Sequence, residues 1–279
     1  MNDAEYITHF EAYLLSHKRV SHNTFCAYKK DLSQFLTYLH DYRLTHKSIA
    51  RKISALKTFF FFLHRTYHVP NWGTHFVIPK LEKKLPSYLS EQEIELLFSF
   101  IDTDNSLLGL RNALMIYLLY VTGMRVSELV NLTISAIDLH NHTVLVQGKG
   151  DKQRILPLTQ AMTIKITHYI TTIYPQMIQS HKPTIDYLFP VIYNAQIKPI
   201  TRQAFWIILK NICIRAGIKK SISPHLIRHS FATHLLQRGV NLRSLQLFLG
   251  HENISTVEVY THLNKKHVRN IYDKKHPRS

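Results

Sequence analysis

The chain has 279 residues, of which 45% are apolar, and its formal net charge is +17 with a sequence pI of about 9.8. This length is enough for two domains, and the apolar content excludes a mainly disordered protein. The surplus of lysine and arginine favours an anionic partner, either nucleic acid or an anionic membrane surface. A basic soluble enzyme without such a partner is the alternative.

Cysteine usage and apolar runs indicate the compartment. Cys26 and Cys213 lie in different regions and form no C-x-x-C, so the pattern predicts neither a thiolate zinc site nor a disulfide framework. The first ten residues contain acidic side chains and no long apolar run, so we expect no signal peptide. The most apolar stretch, Leu107 to Val121, is interrupted at Arg111 and is too short to span a bilayer. We therefore expect a cytoplasmic protein with no membrane partner.

Two amphipathic helices are predicted in the N-terminal part of the chain. Ser21 is the candidate cap of the first, whose apolar residues recur at helical spacing from Phe25 to Leu39. Lys29 and Lys30 lie on the opposite face and are candidate DNA contacts. The second helix is predicted from about Ser48. It contains a run of four phenylalanines, Phe59 to Phe62, which favours core packing over a stacking platform for bases.

Prolines and lysines between Tyr67 and Pro86 predict an extended basic linker. The expected domains are therefore residues 1–80 and residues 81–279. Lys80 and Lys83 in the linker are candidate phosphate contacts, and a solvated charge run is the alternative for each of them. After the linker, an S-x-x-E capping box predicts the start of the next helix at Ser90.

The apolar stretch Leu107 to Val121 is predicted to form a buried helix. A break is predicted at Gly123, and Arg125 begins a new helical pattern directly after it. An arginine between two apolar helices would be held by the scaffold, which suits a binding or catalytic role. The alternative is a structural ion pair with Glu128, which lies on roughly the same helix face.

The apolar period then changes to that of β-strands. Residues Thr143 to Gln147 and Gln153 to Leu158 are predicted to form a hairpin, with Lys149 between two glycines in its turn. Those glycines allow the backbone to approach another chain closely, although a solvated hairpin tip is the alternative.

Two further helices are predicted after the hairpin. The first runs from Met162 to Tyr174, and the second runs from Arg202 to Gly217. Arg202 and Gln203 lie at the N-terminal end of the second helix, where they are candidate contacts to a phosphate or a base edge.

Ser223-Pro224 introduces a helical stretch that carries His225, Arg228 and His229. His225 and Arg228 are three residues apart and share a face, so both could meet one phosphate. His225 and His229 have an i,i+4 spacing that also suits zinc. Because the glutamate of an H-E-x-x-H motif is missing and Arg228 is adjacent, we expect no metal.

Farther along, His251 follows a predicted helix end at Gly250, and a second capping box at Ser255 begins a helix that contains Tyr260. A tyrosine hydroxyl, guanidinium groups and imidazoles are the parts that phosphodiester chemistry needs, and they require no cofactor. Core packing is the alternative for any single tyrosine among the 15 in the chain.

Five motifs in order resemble those of the tyrosine recombinases, and in particular the Xer-type enzymes of bacterial chromosome-dimer resolution. They are Thr122 to Leu129, Gly148-Lys149-Gly150, His225 to His234, Leu249-Gly250-His251 and Tyr260-Thr261-His262.

The resemblance covers nearly the whole chain and implies a mainly α (α+β) fold. It implies an N-terminal helical core-binding domain, a linker, and a mostly helical catalytic domain with a small antiparallel β-sheet and a C-terminal tail. The first domain is shortened, because the family's extra helical segment is reduced to Asp41 to Lys47 here. The resemblance also implies the catalytic residues Arg125, Lys149, His225, Arg228, His251 and the nucleophile Tyr260.

The implied activity is site-specific cutting and rejoining of double-stranded DNA through a 3′-phosphotyrosine intermediate, in Xer-like resolution of chromosome or plasmid dimers. The implied partners are a homo- or hetero-tetramer with a second recombinase and a septal DNA translocase, at the nucleoid. The alternatives are an integrase of a phage or mobile element, a type IB topoisomerase and, from another class, a catalytically inactive DNA-binding protein.

Overall fold

The computed structural model describes residues 3–36, 46–79, 88–148, 153–179, 185–194, 196–241 and 244–245. The chain is mainly helical with two small antiparallel sheets, so the predicted fold class is confirmed. It divides into two compact units, residues 1–85 and residues 86–279. No helix in the described ranges is long and apolar enough to cross a membrane.

The first unit consists of three helices and a 3₁₀ turn: α1 (Asp3–Ser16), α2 (His22–Leu36), α3 (His46–Tyr67) and Trp72–His75. The Ser21 cap is confirmed, because its Oγ accepts the backbone N–H of Thr24 at 3.3 Å. Helix α1 was not predicted, and α3 begins two residues before Ser48. The predicted end of the first helix, at Leu39, lies outside the described residues.

Aromatic side chains form the core of this unit. Phe10 of α1 contacts both Phe59 and Phe62 of α3, with ring centroids 5.1 and 5.4 Å apart. These three rings are at most 7% exposed, so the core interpretation of the phenylalanine run holds for Phe59 and Phe62. The run also includes Phe61, which is 40% exposed because four consecutive helical residues cannot share one face.

The second unit contains seven α-helices among its described residues and one π-helical turn. They are α4 (Glu91–Ile101), α5 (Leu107–Thr122), α6 (Val126–Val130), α7 (Gln160–His168), the π turn Tyr169–Ile173, α8 (Tyr174–Ile178), α9 (Arg202–Arg215) and α10 (Pro224–Gln237). The Ser90 capping box is confirmed by reciprocal hydrogen bonds with Glu93. Every residue of α5 from Ala113 to Thr122 is buried, which confirms the predicted buried helix.

Two antiparallel sheets complete the second unit. The first has the strand order β1 (Ile137–Asp138), β2 (Thr143–Gln147) and β3 (Gln153–Pro157), which confirms the predicted hairpin and adds one strand. The second pairs β4 (Pro190–Tyr193) with β5 (Gln196–Pro199). This second hairpin was not predicted, because its four-residue strands begin or end in proline and show no long alternation of apolar residues.

Candidate active site

The break after α5 brings the end of that helix against α10. Gly123 has a φ of 60°, in the left-handed region, and its N–H caps α5 by donating to Leu119 O at 3.1 Å. A Cβ at this position would lie 2.3 Å from Cδ1 of Phe231 on α10. Only glycine fits the conformation and the contact together, so the predicted break also sets the spacing between the two helices.

Arg125 is the cap residue of α6 and is held by Glu128. The backbone N–H of Arg125 donates to Glu128 Oε2 at 2.7 Å, and its Nη1 donates to Oε1 at 3.0 Å. The ion pair that the sequence offered as an alternative therefore exists. It also fixes the guanidinium, because Glu128 binds both the backbone N–H and the guanidinium of Arg125, whose side chain remains 33% exposed.

A second arginine binds the same carboxylate. Arg154 of β3 donates Nη1 to Glu128 Oε1 at 2.8 Å and Nη2 to Oε2 at 2.7 Å, a two-pronged contact between buried groups. Burial disfavours the ionised form of Glu128, but the contacts and charge of Arg154, and then those of Arg125, outweigh it. The pKa of Glu128 is therefore lowered from its ordinary 4.5, and the group is a carboxylate at neutral pH.

Arg228 enters this cluster from α10. Its Nη1 donates to the carbonyl oxygen of Gly123 at 2.5 Å. Burial, and then the positive charges of Arg125 and Arg154, lower the pKa of Arg228 from its ordinary value to about 10, against the opposing effect of Glu128. Arg125 and Arg154 thus contact one carboxylate, and Arg228 interacts electrostatically with all three groups, a concentration of positive charge suited to an anionic ligand.

The histidines of α10 divide between two environments. Ser223 caps the helix by accepting the N–H of Leu226 at 3.2 Å, and His225 is exposed in the first turn. His234 is buried, and its Nδ1 lies 2.8 Å from the hydroxyl of Tyr120. His225 is thus accessible to a ligand, whereas His234 belongs to the core. Within the described ranges, no group of three or more His, Cys, Asp or Glu residues could hold a metal ion.

Three of the six predicted catalytic residues, Lys149, His251 and Tyr260, lie outside the described residues, as do the Gly250 cap and the Ser255 capping box. Two members of the cluster, Arg125 and Glu128, line a cavity of about 660 Å³ between α6 and the β2–β3 hairpin. Arg125, Glu128, Gln147 and Gln153 are among its lining residues.

The candidate DNA contacts that the structure describes belong to both units. Lys29 of α2 is exposed and pairs with Glu11 at 2.9 Å, and Lys30 beside it is also exposed. In the second unit, Arg202 and Gln203 are exposed in the first turn of α9, which begins at Arg202 as predicted and is capped by Thr201. The two linker lysines, Lys80 and Lys83, lie outside the described residues.

Sequence reasoning missed Arg154, although a signal for it was present. Strand β3 reads Gln153-Arg154-Ile155-Leu156, and the alternation places Arg154 on the same face as buried Leu156. A charged residue at an inward position needs a buried partner of opposite sign, and the nearest preceding acidic candidate on a buried helix was Glu128.

Comparison with known proteins identifies the family to which the chain belongs. The phage integrase family matches residues 87–267, and the phage integrase N-terminal SAM-like domain matches residues 7–47. The tyrosine recombinase XerD of Staphylococcus aureus is 39% identical over 286 aligned residues, which cover 94% of this chain and 95% of that protein.

Solved structures agree with this placement. XerA recombinase is 28% identical with a TM-score of 0.52 over the whole of both chains. XerH site-specific recombinase, bound to its difH substrate before cleavage, is 27% identical with a TM-score of 0.63 over 86% of this chain and 68% of that one. The chain therefore belongs to the phage integrase family and is a Xer-like site-specific tyrosine recombinase, an enzyme of the class that exchanges DNA strands through a covalent phosphotyrosine intermediate.

Proposed function

We propose that this recombinase resolves chromosome or plasmid dimers, and that Tyr260 is its nucleophile. The supporting observation is the joining of Arg125 and Arg228, far apart in sequence, through Glu128 and Gly123 into one cluster of positive charge. Two fixed guanidiniums match the two non-bridging oxygens of a phosphodiester, and their charge would stabilise the transition state more than the ground state.

The proposed reaction is a transesterification that needs no cofactor. The hydroxyl of Tyr260 attacks phosphorus while His225 accepts its proton, and the 3′ phosphate becomes esterified to tyrosine. Arg125, Arg228 and His251 stabilise the charge that accumulates on the phosphoryl oxygens. Lys149 then protonates the leaving 5′ oxygen.

The second half of the reaction reverses the first on a different strand. The phosphotyrosine ester retains the energy of the broken phosphodiester, so the 5′ hydroxyl of another DNA end can attack it and release the tyrosine. Exposure of His225 in the first turn of α10 supports its assignment, because a proton acceptor must reach a nucleophile delivered from elsewhere.

The proposed DNA clamp consists of a core-binding domain at residues 1–80 and a catalytic domain at residues 81–279. The division of the chain into two compact units supports a two-domain clamp, and the DNA-bound state of XerH supports double-stranded DNA as its ligand. We assign phosphate or base contacts to exposed side chains on α2 and α9 and to the linker lysines: Lys29, Lys30, Lys80, Lys83, Arg202 and Gln203.

Assembly and location follow from the same proposal. The enzyme acts in a homo- or hetero-tetramer with a second recombinase, with its C-terminal tail on a neighbouring subunit, and a septal DNA translocase activates it. Its place of action is the nucleoid, in the cytoplasm.

A two-step experiment tests the proposal. The chromosomal sites bound by the protein are mapped first, which separates a dimer-resolution site from the ends of a mobile element. A nicked duplex carrying the mapped site then traps the covalent protein–DNA adduct, because the released fragment diffuses away. Wild-type protein should form the adduct and Tyr260→Phe should not. An adduct that persists in the variant would show that the nucleophile is misassigned.

Salt dependence tests the DNA contacts separately. The logarithm of the affinity should fall linearly with the logarithm of the salt concentration, and each lost phosphate contact should reduce the slope by about one. Lys30→Gln should show this reduction, and an unchanged slope would remove Lys30 from the interface.

A further inference from the structure

Arg154 has no part in the reaction as proposed, yet it makes a buried two-pronged contact with Glu128 in the charged cluster. We propose that Arg154 is a positioning residue for strand cleavage, which acts by fixing Glu128 and, through Glu128, the guanidinium of Arg125. This inference rests on the proposed role of Arg125 at the scissile phosphate.

The geometry of the carboxylate carries the argument. Arg154 lies fork-on to Glu128, with Nη1 at 2.8 Å from Oε1 and Nη2 at 2.7 Å from Oε2. Such a fork uses the facing lone pair of both oxygens and defines the plane of the carboxylate. The remaining lone pairs receive Arg125, with its Nη1 at Oε1 and its backbone N–H at Oε2. Glu128 therefore accepts four hydrogen bonds in one fixed orientation.

The same geometry determines how Arg125 is presented. Arg154 already makes the two-pronged contact with both carboxylate oxygens of Glu128, so Arg125 cannot make the same contact. The guanidinium of Arg125 instead donates from Nη1 to Oε1 alone. Without Arg154, a one-to-one fork between Arg125 and Glu128 would form a neutral pair and would turn the guanidinium away from a phosphate. The third guanidinium thus prevents the counter-ion from competing with the substrate.

Charge adds to orientation. Three guanidiniums and one carboxylate give a formal sum of +2, and removal of Arg154 would leave +1. The charge of Arg154 also acts on Arg228, whose pKa it helps to lower. The charge of Arg154 would therefore stabilise an anionic transition state even though that side chain is buried.

The position of Arg154 on the hairpin gives it a second connection. Arg154 pairs with Val146 across β2 and β3, and the sequence places Lys149 in the turn between these strands. The contact with Glu128 therefore fastens the base of the hairpin to the helix that carries Arg125. A single ion pair links the element that bears the proposed general acid to the element that bears a proposed phosphate ligand.

The test compares Arg154→Lys and Arg154→Gln with wild type on the nicked duplex, with melting temperature, DNA affinity and single-turnover adduct formation measured for each. Lysine keeps the charge but cannot form the fork. The matched control is Arg238→Gln, because Arg238 makes a comparable two-pronged contact with Glu91 at 3.1 Å on the surface of the same unit.

We expect DNA affinity within about threefold of wild type and adduct formation slower by about 100-fold in both variants, with no kinetic change in the control. Combining Arg154→Lys with Arg125→Lys should slow cleavage little more than Arg125→Lys alone, because the two residues act through one carboxylate. A merely structural role would not produce this non-additivity.

Three results would overturn the inference: adduct formation within about threefold of wild type in a folded variant, effects that multiply in the double variant, or unfolding of both variants. If only Arg154→Gln has a lowered melting temperature, the rate of adduct formation by Arg154→Lys tests the inference. The Tyr260→Phe protein separates the two proposals. Loss of its adduct together with normal cleavage by the Arg154 variants would reject this inference and leave the proposed function in place.

Discussion

Gly123 joins the backbone of the fold to the candidate active site. Its left-handed φ of 60° ends α5, and its carbonyl oxygen accepts the hydrogen bond from Arg228. A methyl group here would meet the ring of Phe231 at 2.3 Å, closer than Cβ atoms are found in proteins. We predict that Gly123→Ala both destabilises the protein and displaces the guanidinium of Arg228.

The magnitude has two parts, and the chain contains a control that separates them. Placing alanine in the left-handed region costs roughly 1–2 kcal/mol, and overpacking against a fixed ring adds about 1–3 kcal/mol. Gly217 is exposed and has a φ of 77°, and a Cβ there would have nothing within 4 Å. Gly217→Ala should therefore lose only the first amount, whereas Gly123→Ala should lose about 2–5 kcal/mol in all.

Urea denaturation measures the loss of stability, and adduct formation on the nicked duplex measures the displacement of Arg228. Gly123→Ala should be the less stable variant and should cleave far more slowly, whereas Gly217→Ala should cleave as wild type does. Adding Phe231→Leu to Gly123→Ala removes the clashing ring and should recover part of the stability. Equal losses for the two alanine variants would refute the packing argument.

Three further predictions concern buried polar groups of the second unit. Glu128→Gln leaves buried guanidiniums without their counter-ion and should cost about 3–5 kcal/mol of stability at pH 7. Because the pKa of Glu128 is lowered from 4.5, its stabilising effect is present above pH 4.5 and is lost as the pH falls through the lowered pKa. The urea denaturation curves of variant and wild type should therefore converge in acid. His234 is hydrogen-bonded to Tyr120, and burial lowers its pKa from 6.5. The unfolded state therefore binds more protons than the folded state, and stability should fall as the pH drops below about 6.5. His234→Gln should reduce this dependence of the melting temperature on pH. Ser230→Ala removes the acceptor of the buried N–H of Leu89, at 2.8 Å, and should cost about 1–3 kcal/mol by urea denaturation.

Local signals in the sequence predicted the starts of helices well. Ser21, Ser90, Thr201 and Ser223 each cap the predicted helix, because a cap depends on three or four neighbouring residues and little else. The strands β1, β4 and β5 were missed for the opposite reason. They are two to four residues long, and their pairing depends on partners rather than on local preference.

The candidate site was only partly readable for a related reason. Arg125 and Arg228 could be proposed from motifs, but their union depends on Gly123, whose role in packing against Phe231 is a tertiary fact. Likewise, the sequence paired Arg125 with Glu128 three residues away, whereas the contribution of Arg154 crosses from a strand to a helix. A sequence pattern identifies neighbours along one helix, whereas a counter-ion that is shared with a residue of another element becomes visible only in the folded chain.

The cluster of Arg125, Arg154 and Arg228 is assembled in the free protein at an electrostatic cost. Clustered guanidiniums repel one another, and burial of Arg228 adds to the cost, as its lowered pKa of about 10 records. Glu128 offsets only one of the three charges, so the free protein holds the cluster through the backbone carbonyl of Gly123 and the packing of α5 on α10. A bound phosphate would remove part of this repulsion without any rearrangement of the arginines. With the roles proposed for Arg125 and Arg228, an arginine cluster already held by the fold would stabilise the negative charge that accumulates on phosphorus without the cost of bringing the arginines together.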